Sequence, residues 1–161
     1  MVKTILLLGD EQLYEKTEEL QREEVNLLES TIIDLHDTLM DYRGKYGAGR
    51  AIAAPQIGVK KRIIYMFIEK PVVFINPRLE FKDDEMMHVL DDCMSFPGLY
   101  VHLKRYKRCI IKYYDQNWES CSMELEGDLS ELLQHEYDHL DGILATMRAV
   151  NNQSFVMKYI R

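Results

Sequence analysis

The stretch QHEYDHLDG, residues 134–142, carries two histidines four residues apart, with a glutamate directly after the first. On a helix that spacing is one turn, so both imidazoles leave from one face. Neutral imidazole nitrogens ligate divalent metals, and Glu136 stands where a carboxylate can take a proton from a water activated by such an ion. The preceding residues support the helix. Asp128 is a suitable N-cap for LSELLQHEYDHL, with Glu131 three residues on as in a capping box, and Leu129, Leu132, Leu133 and Leu140 form an apolar stripe. Gly142 is the expected stop.

Two ligands do not hold a catalytic metal; three are expected, with one position left open. The tail LDGILATMRAVNNQSFVMKYIR contains no His, Glu or Cys, and Asp141 is too close on the same helix end. The third ligand therefore comes from upstream. His36 falls in an amphipathic helix, His102 in a strand among cations, and His88 after the acidic stretch KDDEMM. Cys109 and Cys121 fall within strand patterns, where a thiol packs as a small hydrophobe. Cys93 lies in LDDCMSFPG, between a strand-like segment and a Pro-Gly turn, and is the preferred candidate.

Outward from the site, the run EEVNLLESTIIDLHDTLMDYRG sets Val25, Leu28, Ile32, Leu35 and Leu39 at spacings of three and four, an amphipathic helix with Gly44 as its stop. EKTEELQREE before it reads as solvated loop, and GAGRAIAAPQIGVKK as a loop rich in small residues. RIIYMFI, PVVFINP, YVHL, RCIIKYYD and CSMELEG read as strands, as does the start MVKTILLLGDEQ. A short helix is expected in SFVMKYIR. These elements predict an α+β fold, one compact domain over residues 1–161 with antiparallel sheets around the HExxH helix. The chain has 161 residues, 47% of them hydrophobic, and a net charge of −7, which excludes a basic footprint for nucleic acid. No apolar run approaches the roughly 20 residues of a membrane span. Three widely spaced cysteines suit a reducing cytoplasm.

Three segments together resemble the peptide deformylase family. AIAAPQIG is similar to its first motif, usually G-L-A-A-x-Q; DDCMS to its second, usually E-G-C-L-S; and QHEYDHLDG to its third, H-E-x-x-H followed by L-x-G. The resemblance spans nearly the whole chain and keeps the order of the motifs. It implies an enzyme that removes the N-formyl group from the initiating methionine of new polypeptides, with the nascent chain, met at the ribosome, as partner. It implies a metal on Cys93, His135 and His139, usually Fe2+, with Zn2+, Ni2+ or Co2+ able to replace it. Glu136 is then the general acid/base, and the Gln56 amide and Met94 N–H form the oxyanion hole. Ala51, Ile52, Asp91 and Asp92 fall beside substrate.

This sequence also departs from the pattern. Ala51 stands for the usual second Gly, Asp91 for Glu, Asp92 for Gly and Met94 for Leu. The departures spare the reacting groups, so the expectation is retained hydrolysis with altered substrate preference, Asp91 and Asp92 favouring a cationic group near the substrate's N-terminus. The alternatives are another small N-acyl substrate, or a metal-binding relative without turnover in which Asp92 serves as a fourth ligand.

Overall fold

The computed structural model describes residues 1–158. Among these the order of regular elements is α1 (Val25–Tyr46), β1 (Ala51–Ala53), β2 (Ile63–Phe67), β3 (Pro71–Glu80), β4 (Met86–Asp91), β5 (Leu99–Tyr106), β6 (Arg108–Tyr114), β7 (Ser120–Glu126), α2 (Asp128–Leu140) and β8 (Phe155–Met157), with short 3-10 turns between some of them. The strands form two antiparallel sheets, β1-β2-β3-β6-β7 and β4-β5-β8. The α+β expectation holds.

Alternation along β2 explains the layering. Ile63 and Tyr65 point to one face, where α1 brings Leu28, Leu35 and Leu39. Ile64 and Met66 point to the other, where α2 brings Leu132, Leu133 and Leu140. Successive strand side chains take opposite faces, so a strand covered by helices on both sides reads as the unbroken apolar run IIYMF. Leu35 and Leu39 are fully buried, each stabilising the fold by about 1.5–3 kcal/mol. A smaller cluster of Cys93, Phe96, Val101, Leu103 and Ala145 sits under the second sheet.

Several expectations are corrected. Helix α1 continues through Gly44 and ends at Gly47, whose left-handed φ of +66° lets its N–H reach the Arg43 carbonyl at 2.8 Å. Asp128 and Glu131 make no capping box. The helix begins after Gly127, at φ +61°, and both acids complement the dipole from the first turn. Gly142 does follow the end of α2, at φ +72°, and a Cβ there would meet the Tyr14 carbonyl oxygen at 2.4 Å. The segment read as one small-residue loop contains β1, too short and alanine-rich to show as a strand.

At the C-terminus, Phe155–Met157 pairs with β5 as a strand rather than starting a helix. Tyr159, Ile160 and Arg161 lie outside the described residues. The first residues, expected as a strand, belong to neither sheet. Lys3 donates its N–H to Thr38 Oγ1 (2.9 Å), Leu6 to the Gln56 carbonyl (2.8 Å) and Leu8 to the Ser95 carbonyl (2.8 Å).

Candidate active site

Helix α2 runs against the first sheet, and its rotation is fixed by Gln134. That amide accepts from the Tyr106 N–H (3.0 Å) and donates to the Tyr106 carbonyl (2.7 Å), standing in for a neighbouring strand. The rotation buries His135, Glu136 and His139 together. Their ring neighbour is Cys93, in the turn just beyond β4. Its Sγ lies 3.3 Å from His139 Nε2, and one ligating atom from each of Cys93, His135 and His139 falls within 4.8 Å of the others. Two donors on one tetrahedral ion, sulfur and nitrogen, stand about 3.6 Å apart, so the sulfur–nitrogen separation suits a shared cation. His36, His88, His102, Cys109 and Cys121 are not part of this group. His36 is taken up by Tyr65, whose hydroxyl is 2.7 Å from its Nδ1.

Asp91 explains the state of the first histidine. Its Oδ2 accepts from His135 Nδ1 at 3.0 Å, which leaves Nε2 to face the sulfur. The same oxygen accepts from Arg105 Nη2 at 3.0 Å. Arg105 in turn donates to Asp138 Oδ2 (2.5 Å), and Asp138 also receives Arg148 (2.6 and 2.9 Å). A chain of alternating charge, buried for most of its length, thus runs from His135 to the half-exposed Arg148. Burial raises Asp91, yet His135 and Arg105 overcome it and hold its pKa down at about 2.

For His135, burial opposes the cation, but Asp91 and the Cys93 sulfur keep its pKa well above the usual value. The site favours positive charge there, the charge a divalent ion would supply. His139 is the opposite case. Burial, reinforced by the neighbouring His135, holds it well below the usual value and keeps it neutral, the form that ligates metal.

Glu136 is buried, its Oε2 accepts no hydrogen bond within the described residues, and burial pushes its pKa up to about 7. A neighbouring cation would lower that value. Gln56 is almost wholly buried. Its Oε1 accepts from the Ala53 N–H (3.0 Å), so its amino group must point to Cys93 Sγ (3.7 Å) and Ser95 Oγ (3.1 Å). Ser95 N–H also points at the Cys93 sulfur, at 3.4 Å. The Met94 N–H donates to no backbone carbonyl among the described residues.

These groups open on a cleft of ≈ 660 Å³ whose wall includes Arg50, Ala51, Asp92, Met94, Glu131 and Glu136. Ala51 presents a free strand edge to it. The Phe67 N–H donates to the Arg50 carbonyl at 2.9 Å, and alternation therefore turns the Ala51 backbone groups away from β2.

The residues expected beside substrate are placed differently from one another. Ile52 is fully buried in the core under α1 and does not reach the cleft. Asp91 and Asp92, both expected beside substrate, do line the cleft, but the Asp91 carboxylate turns inward to His135 and Arg105, whereas Asp92 points outward and accepts from Lys158 Nζ at 2.7 Å, away from the place of a fourth metal ligand. Arg105, Asp138, Arg148, Gln134 and Ser95 were missed by the sequence reading. Arg105 carried a usable signal. It shares the strand phase of Val101 and Leu103, both fully buried, and a cation on a buried phase demands carboxylates.

The family model for polypeptide deformylase matches residues 2–155. The peptide deformylase of Pseudothermotoga lettingae is 37% identical over 145 residues, covering 89% of this chain and 81% of its own. The crystal structure of peptide deformylase from Thermotoga maritima is similar with a TM-score of 0.85 at 32% identity, covering 94% of this chain and 99% of that one. A class I type b peptide deformylase from Acinetobacter baumannii with Met-Ala-Ser bound gives a TM-score of 0.83 at 25% identity, covering 92% of this chain and 98% of that one.

Proposed function

The chain belongs to the polypeptide deformylase family, hydrolases that remove the N-formyl group from nascent peptides, and from that premise we propose how its own residues divide the reaction. Cys93, His135 and His139 hold the metal on which the family depends, Fe2+ in the cell, with Zn2+, Ni2+ or Co2+ as substitutes. A mixed thiolate and imidazole set suits these ions. When bound, such an ion supplies Lewis acidity and makes water a usable nucleophile near neutral pH.

Glu136 accepts the proton released as water attacks the formyl carbon, then delivers it to the departing amine. Its burial and its unengaged oxygen support that role. The Gln56 amino group, locked by Ala53 and Ser95, and the Met94 N–H donate to the oxygen that gains charge. Asp91 orients His135 and does not touch substrate. The Ala51 edge receives the peptide backbone as an added strand, a mode of recognition built from main-chain hydrogen bonds, and the Met-Ala-Ser bound to the Acinetobacter baumannii protein indicates a ligand of suitable length.

Residues 1–161 act as one catalytic unit, and the setting is the cytoplasm, on chains at or newly released from the ribosome. Among the described residues no helix is long and apolar enough to cross a membrane.

The observation that carries this reading is the convergence of Cys93, His135 and His139, all buried, from segments more than 40 residues apart in sequence. The test is anaerobic purification with metal analysis, followed by formate release from formyl-Met-Ala-Ser. Cys93→Ala is expected to lose tight metal binding and with it formate release. Full metal affinity in that variant would remove Cys93 from the ligand set.

A further inference from the structure

The cleft wall one helical turn from the metal group is not purely apolar. Glu131 stands four residues before His135 on α2, hence on the same face, about 6 Å along the axis. Arg50, just ahead of β1, reaches across to it, with Nη2 to Oε1 at 3.3 Å. The Glu131 side chain is 16% exposed and that of Arg50 42%. Both line the cleft, with Leu132 and Ala51 beside them.

Strand geometry determines which substrate residue meets this wall. The Ala51 side chain belongs to the cluster under α2, whereas Ile52 belongs to the cluster under α1. Residues paired across two strands share a face. In a peptide added to the β1 edge, the residue opposite Ala51 therefore lays its side chain along Leu132 towards Glu131 and Arg50. With the formyl group at the metal, that residue is the formylated one, and a chain of methionine's length spans about the 6 Å to the ion pair.

We propose that the Arg50–Glu131 pair selects the side chain of the formylated residue, favouring an unbranched hydrocarbon stem that ends in a hydrogen-bond acceptor. The stem lies on Leu132 and Ala51. The tip covers the ion pair. A hydrocarbon tip strips water from those charges and returns nothing, which costs free energy. A sulfoxide oxygen or an amide carbonyl replaces the lost water at the guanidinium, which has five N–H donors and spends one on Glu131 among the described contacts. Methionine sulfoxide and glutamine have this form; norleucine has the stem alone. The inference rests on the deformylase reading above.

The test measures kcat/KM for formate release from formyl-X-Ala-Ser peptides, with X methionine, methionine sulfoxide, glutamine or norleucine. The metal-loaded wild type is expected to process the sulfoxide and glutamine peptides at least as fast as the norleucine peptide. The double variant Arg50→Leu/Glu131→Leu should lower the sulfoxide-to-norleucine ratio by about tenfold or more, the scale on which unpaired polar groups discriminate between analogues. Arg50→Met alone, at a half-exposed position, serves if the double variant does not fold and should move the ratio the same way. A wild type that prefers norleucine, or variants that release formate with an unmoved ratio, overturn the proposal and leave the deformylase reading intact. A metal-loaded wild type that releases no formate from any of the four peptides defeats both.

Discussion

At the floor of the cleft, Arg105 binds Asp91 and Asp138 with its own side chain only 2% exposed; at the mouth, Lys158 binds Asp92 and Arg50 binds Glu131, the cations 26% and 42% exposed. The residue types are the same and the consequences are not. Removing one partner of a buried pair leaves an uncompensated charge and costs about 3–5 kcal/mol. Removing one partner of an exposed pair costs about 0–1 kcal/mol. The floor therefore permits little change in any single member, and it is the floor that aims His135. The mouth tolerates exchange. On the proposed assignments, ligand geometry and substrate preference thus fall to two populations of charge that differ in how freely sequence can vary them.

The contrast can be broken at the floor first. Glu136→Ala should lower kcat by about 10²–10⁴-fold, the usual contribution of general acid–base transfer, while metal analysis finds the ion retained. Loss of metal along with turnover would make Glu136 part of the binding set. Next, Gln56→Leu removes a fixed donor and should lower kcat by about 10²–10³-fold with KM little changed; an effect confined to KM would place Gln56 in ground-state binding instead. Asp91→Asn should weaken metal affinity or activity by about 10–100-fold, as loss of a partner behind a ligand histidine does. Titration with a competing chelator measures this, and unchanged affinity would detach Asp91 from the orientation of His135. At the mouth, Asp92→Asn should shift stability by less than about 1 kcal/mol and leave metal content as it was. A large loss in thermal unfolding would show the rim to be as constrained as the floor.

Asp91 and Asp92 also show how far sequence alone reaches. Both were noticed as departures, and both were expected to face substrate. Their fates differ because β4 alternates, and Asp91, its last residue, falls on the inward phase while Asp92 falls beyond it. That phase was readable only once β4 was known to end at Asp91. The histidine pair needed no such knowledge, since its helical spacing is local. Cys93 was reached by excluding the tail and by resemblance, because the approach of a turn to a helix 42 residues later has no local signature. Five strands were legible from β-branched and aromatic runs. β1 was not, being three small residues long. The start looked like a strand because it is a short apolar run, but its hydrogen-bond partners are a helix hydroxyl and the carbonyls of Gln56 and Ser95 rather than a sheet. Gly127 took the capping place assigned to Asp128, a shift of one residue that propensity does not resolve.

The first residues also bear on how the molecule is made. Leu6 and Leu8 fasten the carbonyls of Gln56 and Ser95, in the two segments to which the proposed mechanism assigns the oxyanion donors. Ser95 lies 87 residues after Leu8, so the clasp is complete only once that whole span has been synthesised. Long-range closures of that kind come late in folding. A protein that trims other chains thus ties two segments of its own cleft to residues far upstream of either.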